Sequence, residues 1–273
     1  MKPWALVLGA SSGFGGAVSL ELAKHGYNIF GVHLDRAITI PDVKSLMRKI
    51  EHTKQHAVFF NINAADAIKR NEVLDEISER LKGHEKGSIK VLVHSLAFGT
   101  LKPFIAKAQT NCISQAQMEM TLDVMAHSLV YWTQGLIFRN LLAEHGRIFS
   151  LTSAGSHSVI PFYGAVSAAK AALEAHTRQL AYELAPMKIT ANSIMAGVTD
   201  TPALQKIPGA KNMIDATKLK NPQGRLTHPE DVAKAILMLC SEEAGWISGN
   251  MIGVDGAEDI INFTGEKVAH HIK

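Results

Sequence analysis

Short apolar runs alternate along this chain with longer stretches of helical period, and that alternation predicts a parallel sheet covered by helices on both faces. Seven strands are predicted over Trp4–Leu8, Asn28–Val32, His56–Asn61, Ile89–His94, Arg147–Leu151, Lys188–Ile194 and Asn250–Val254. Helical spacing between them predicts helices over Phe14–His25, Pro41–His52, Ala65–Leu81, Ser114–Leu142, Phe162–Leu184 and Pro229–Cys240. His25-Gly26 and Glu144-His145-Gly146 read as helix ends, with glycine supplying the left-handed backbone. Thr201–Leu226 carries Pro202, Pro208, Gly209, Pro222 and Gly224 and breaks the rhythm after the sixth strand. It predicts a long irregular connection that closes over a ligand. The architecture implied is α/β, a Rossmann-like doubly wound parallel sheet in a single domain spanning residues 1–273.

Composition narrows the classes of function. With 273 residues, 47% of them hydrophobic, the chain can bury one large core. Its formal charge of +3 comes from 28 basic and 25 acidic residues with no long basic run, which argues against nucleic acid as a partner. Cys112 and Cys240 lie far apart and outside any Cys-x-x-Cys pattern, which fits a reducing compartment and a cytoplasmic location. Met1-Lys2-Pro3 runs straight into a strand, and no apolar stretch is long enough to span a bilayer, so a soluble protein with no membrane partner is expected. Of the 13 histidines only His52 and His56 have i, i+4 spacing, and they straddle a helix end, so no metal is assigned.

Gly9-Ala10-Ser11-Ser12-Gly13-Phe14-Gly15 follows the first strand and opens the first helix. Glycines there permit a tight turn, and the helix N-terminus offers free N–H groups to a pyrophosphate. Gly9, Ser11, Ser12, Gly13, Phe14 and Gly15 are therefore dinucleotide-binding candidates. At the end of the second strand, an acid would bind the adenosine ribose of NADH and a basic group the 2′-phosphate of NADPH. The acid position falls at His33, with Asp35 and Arg36 just beyond it. The non-acidic His33 and nearby Arg36 lean the reading to NADPH, with NADH the alternative. Asn61 and Ile62, ending the third strand, and Ser95, Leu96 and Ala97, following the fourth, complete the predicted coenzyme wall.

Tyr163 and Lys170 stand seven residues apart in a predicted helix. Seven residues turn through about 700° and rise about 10.5 Å, so both side chains return to nearly one face. A four-residue spacing would do the same, and the longer one moves the phenol about one turn toward the helix N-terminus. Ser153 precedes Tyr163 by ten residues. These residues, with the glycine turn, Val93-His94-Ser95-Leu96-Ala97, Asn192–Gly197 and Val254-Asp255-Gly256, resemble the short-chain dehydrogenase/reductase family over nearly the whole chain. Standard members carry Tyr-x-x-x-Lys, whereas the residue four after Tyr163 is Ser167. The Tyr-x6-Lys spacing and His94-Ser95 are similar to a divergent branch, the enoyl-acyl-carrier-protein reductases. Most of that branch has a second Tyr at the position of Ser153. An NADPH-dependent subgroup with Ser there and a standard glycine turn resembles this chain more, including Asp200–Leu204 and Pro222-x-Gly224-Arg225.

The resemblance implies a reductase acting on an acyl thioester, carried on acyl carrier protein or coenzyme A, in fatty-acid synthesis, and a homotetramer paired through its two long helices. It implies Tyr163 as hydrogen donor, Lys170 as holder of the nicotinamide ribose, and Gly197, Thr199 and Thr201 along the carboxamide and pyrophosphate. Asp123 stands where standard members carry a structural Asn, which leaves a proton relay there in doubt. Ser153 equally suits a carbonyl reductase of 3-oxoacyl or hydroxysteroid type, and a non-catalytic dinucleotide sensor would share the fold. His94 is expected to shape the pocket rather than act as a base, and His157 to be a surface group.

Overall fold

The computed structural model describes residues 3–83 and 87–262. Seven strands form one parallel sheet: β1 Pro3–Leu8, β2 Asn28–His33, β3 Ala57–Asn61, β4 Ser88–His94, β5 Leu142–Ser153, β6 Thr190–Ala196 and β7 Met251–Val254. Their order is β3-β2-β1-β4-β5-β6-β7, so the winding reverses between β1 and β4. A crevice opens there at the carboxyl ends of the strands, the place where this kind of sheet binds ligands.

The central strand β1 reads as a continuous apolar run because both its faces are covered. Trp4, Leu6 and Leu8 of β1 point into one core with Phe30, Leu92 and Ile148, and Ala5 and Val7 point into the other with Ile29, Val91 and Phe149. Helices α1 (Gly13–Lys24), α2 (Ile40–Glu51) and α8 (Pro229–Leu239) cover the second face. Helices α3 (Ala67–Lys82), α4 (Gln115–Leu122), α5 (Ser128–Phe138) and α6 (Gly164–Glu183) cover the first. Local chemistry fixes several ends. Asp66 accepts from the N–H groups of Ile68 and Lys69, which starts α3 two residues later than periodicity alone suggests. Ser114 and Gln117 form a reciprocal capping box at α4.

Three expectations are corrected. The predicted helix over Ser114–Leu142 is interrupted by a π-helical turn at Asp123–His127 and stops at Phe138, because Asn140 takes left-handed backbone (φ 55°). Glu144-His145-Gly146 lies within β5 rather than at a helix end, and its left-handed residue is His145 (φ 58°), not Gly146. Gly146 is needed for space instead, since a Cβ there would come to 2.9 Å from the Ala143 carbonyl oxygen. The segment Thr201–Leu226 is not irregular throughout: it contains α7, Ala210–Lys220. Its prolines and glycines delimit the helix, with left-handed Gly209 before it and Asn221-Pro222 after it. No helix among the described residues is long and apolar enough to cross a membrane.

Candidate active site

The turn after β1 is built by backbone crowding that only glycine tolerates. Gly9 has φ 86° and Gly13 φ 52°, and a Cβ on Gly15 would overlap the Gly9 carbonyl oxygen. A Cβ on Gly9 would overlap the carbonyl of Ser95, which follows β4. The two strands flanking the switch point therefore touch through Gly9 and Ser95, and Ser95 N–H donates to Leu8 O at 2.8 Å. Ser12 precedes α1 without a side-chain cap, and the first turn carries no acid. Its N–H groups and dipole thus fit a pyrophosphate.

Asp35 and Arg36 differ in what they face. Asn61 ties the loop by accepting from Asp35 N–H at 2.9 Å and donating to Asp35 O at 3.0 Å. The Asp35 carboxylate lies 2.9 Å from His33 Nδ1 and accepts from Thr39 Oγ1 at 2.7 Å. Partial burial pushes this carboxyl up, but hydrogen bonds from Ser11, Thr39 and His33 outweigh it and leave it below its ordinary range. Ser11 belongs to the glycine turn, so a charged carboxylate stands where the adenosine ribose belongs. Arg36 is exposed. Ile62 N–H donates to His33 O at 2.8 Å and closes this corner.

A cavity of about 310 Å³ opens beyond the turn. Of the sequence candidates it gathers Phe14, Ser95, Leu96, Ala97, Ser153, Tyr163, Lys170, Gly197, Thr199 and Thr201. The remaining glycine-turn residues, His33, Asp35, Arg36, Asn61 and Ile62 lie outside its lining, toward the adenosine end. Thr201 bridges the two regions, because a Cβ on Gly13 would stand 3.5 Å from its methyl group. Leu101, Met125, Ile160, Leu204, Ile207 and Met213 make the opposite wall apolar.

Tyr163 is the residue that caps α6 rather than a member of it, and Phe162 before it takes left-handed backbone (φ 64°). Lys170 lies within α6, is only 5% exposed, and donates from Nζ to Leu151 O at 2.6 Å. Burial lowers its pKa to about 8, against the opposing charge of Glu174. Thr152 Oγ1 donates to Glu174 Oε1 at 2.6 Å and locks α6 onto β5 beside that ammonium. Burial raises the Tyr163 phenol, and the neighbouring Ser153 hydroxyl counters this only in part. That partial effect coexists with a Ser153 Oγ that is buried and closes no hydrogen bond of ordinary geometry. The phenol therefore keeps its proton at neutral pH, whereas a dominant cation would have favoured tyrosinate. The cause is burial of the phenol, while the Lys170 ammonium donates to the Leu151 carbonyl.

His94 is fully buried behind the cavity wall with Nε2 2.9 Å from Ser128 Oγ, and burial lowers its pKa to about 3. It is neutral and lies outside the residues that line the cavity. His157 Nε2 pairs with Asp259 at 3.0 Å, which ties the loop before Tyr163 to the segment after β7. Asp123 contributes its charge to Arg70, and Met125 from the same π-helical turn takes the cavity position. Glu258 and Asp259 also line the cavity, although no sequence pattern singles them out.

The switch-point crevice, the glycine turn and the Tyr–Lys cavity define an oxidoreductase of the short-chain dehydrogenase/reductase class, whose members use NAD or NADP. A family model described as enoyl-(acyl carrier protein) reductase matches residues 9–257, and the chain belongs to that family. It is 31% identical over 203 residues to the NADH-type enoyl-[acyl-carrier-protein] reductase of Aquifex aeolicus, spanning 73% of this chain and 74% of that protein. It is also 25% identical over 256 residues to the 3-oxoacyl-[acyl-carrier-protein] reductase of Thermotoga maritima, spanning 92% and 95%. A crystal structure of the Aquifex aeolicus enoyl reductase superposes with a TM-score of 0.82 at 24% identity, covering 96% of this chain and 98% of that one.

Proposed function

We propose that this chain is an enoyl-thioester reductase that prefers NADH. The observation that carries the reading is the cavity itself: a protonated Tyr163 phenol beside Ser153 at one end and an apolar wall from Leu101 to Met213 at the other. Such a wall suits an acyl chain, and the phenol suits the thioester oxygen. The coenzyme supplies hydride to the β-carbon of the conjugated double bond. Charge then develops on the thioester oxygen, and Tyr163 donates a hydrogen bond or its proton there. Lys170, anchored on the Leu151 carbonyl, would hold the ribose. The net proton would come from solvent to the α-carbon as the thioester C=O re-forms, and a proton lent to the oxygen by Tyr163 would return to the phenolate.

Met125 supports reduction of C=C over C=O, because the central helix offers the cavity a thioether and not an amide for a proton relay. The second reading, a carbonyl reductase, is favoured by one observation: the buried Ser153 Oγ is free to polarise a carbonyl oxygen. Asp35 carries the coenzyme preference, through repulsion of a 2′-phosphate. The segment 201–226, which lends Thr201, Leu204, Ile207 and Met213 to the wall, acts as the substrate-covering loop. The same reading includes acyl carrier protein as substrate carrier, and four-copy assembly through α4–α6, whose outer face shows Ala168, Ala171 and Ala175. Purified protein with crotonyl- and acetoacetyl-thioesters and both reduced coenzymes tests it. Turnover of the crotonyl substrate supports the proposal, and turnover of the ketone alone rejects it.

A further inference from the structure

Glu258 is a buried carboxylate in the catalytic cavity that the hydride-transfer reading does not use. Strand register brings it there. Ser153 pairs with Ala196 across β5 and β6, and Ala196 pairs with Val254 across β6 and β7. Gly197 and Val198 continue β6, and the segment from Asp255 to Glu258 continues β7, so Glu258 stands about two strand spacings, roughly 10 Å, from the Ser153 column. Both carboxylate oxygens accept from Val198 N–H at 3.3 Å, and a Cβ on Gly197 would stand 3.0 Å from Oε2. Glu258 is 8% exposed. Burial raises its pKa, opposed by Val198 N–H, Asn221 and Lys220.

The other two acids of the cavity are committed elsewhere. Asp255 accepts from Ala257 N–H through Oδ1 at 3.0 Å and from Asp259 N–H through Oδ2 at 2.8 Å, and Asp259 pairs with His157. The Val198 bonds of Glu258 are long, and a carboxylate has about four lone-pair sites, so acceptor capacity remains toward the cavity. The oxidised and reduced forms of a nicotinamide coenzyme differ there by one positive charge on the ring. A carboxylate in a low-dielectric wall attracts the charged form and leaves the neutral one nearly unaffected.

We propose that Glu258 sets the redox-form preference of the coenzyme site, strengthening binding of the oxidised, positively charged nicotinamide relative to the reduced ring. Lys170 across the cavity acts in the opposite sense, so the informative quantity is the change on removing Glu258, not the absolute ratio in the wild type. The inference rests on the coenzyme class and is independent of whether the substrate bond is C=C or C=O.

Glu258→Gln keeps an oxygen to accept from Val198 N–H and removes the charge. Dissociation constants of NAD+ and NADH, measured by calorimetry and ligand fluorescence without substrate, give the readout. The oxidised form is expected to weaken by roughly tenfold while the reduced form stays within about twofold. Equal changes in both forms, as a purely backbone-capping role requires, overturn the proposal, as does no change in either. If Glu258→Gln does not fold, Glu258→Asp serves instead: it draws the carboxylate back by one methylene and must weaken the oxidised form relative to the reduced one, and an unchanged ratio of their dissociation constants overturns the proposal. A wild-type chain that binds neither form overturns the coenzyme assignment and this inference with it.

Discussion

Burial of Lys170 has a consequence for stability that can be measured without substrate or coenzyme. Its folded pKa is about 8, against 10.5 for an ordinary lysine. Between those values the folded chain has released a proton that the unfolded chain still holds, so unfolding takes up a proton and stability rises with pH. Below the folded value both states are protonated, and folding bears the full cost of the buried charge. From about pH 7 to about pH 10 this residue alone should add about 2.5 kcal/mol to the unfolding free energy. Tyr27 and Cys240, each raised to about 12 by burial, act in the opposite sense at high pH, so the wild type must be compared with Lys170→Met. Urea unfolding of both proteins across that range gives the difference curve. Its rise should move to lower pH in Glu174→Gln, which keeps the acceptor for Thr152 and removes the charge that supports the ammonium. Wild-type and Lys170→Met stabilities that run parallel over the whole range would refute the reasoning.

Tyr163→Phe should lower kcat by roughly 100- to 10,000-fold with the chosen thioester while coenzyme titrations stay close to wild type, and a sensor protein would show no such split. Asp35→Asn should raise the NADPH-to-NADH ratio of kcat/KM by about tenfold, an amount discounted for the partial exposure of that carboxylate; an unchanged ratio would remove Asp35 from coenzyme choice. Gly15→Ala should cost about 1–3 kcal/mol and abolish coenzyme binding, seen together by thermal melting with and without NADH, because the new methyl group meets the Gly9 carbonyl.

Strand positions were legible where the run is mostly apolar, as in β1, β2 and β4, and less so in β6, where Thr190, Asn192 and Ser193 interrupt it. The break at Asp123–His127 was not, since inserting one residue per turn leaves an apolar sequence apolar. Helix α7 was hidden by its own delimiters, Gly209 and Asn221-Pro222, which look like loop residues until the eleven residues Ala210–Lys220 between them are seen to coil. In the site, the Gly9–Gly15 turn, Ser153, Tyr163 and Lys170 form local patterns that spacing reveals. The orientation of Asp35 depends on Asn61, 26 residues away, and Glu258 reaches the cavity only through the pairing of β6 with β7. Neither relation leaves a mark in the local sequence.

Tyr163 and Lys170 have different mounts: the lysine rides on the rigid turns of α6, while the phenol hangs from the residue before them, behind a left-handed Phe162. A helix would permit only spacings that return to the same face. A loop that ends at the helix permits the tyrosine to be re-threaded along the cavity while the lysine and its strand contact stay fixed. The distance between proton donor and cation is then an evolutionary variable, adjustable by a few loop residues without rebuilding the core. Grafting the Ser153–Gly164 connection of a shorter-spaced relative into this chain would turn that freedom into an experiment on how one scaffold changes the bond it reduces.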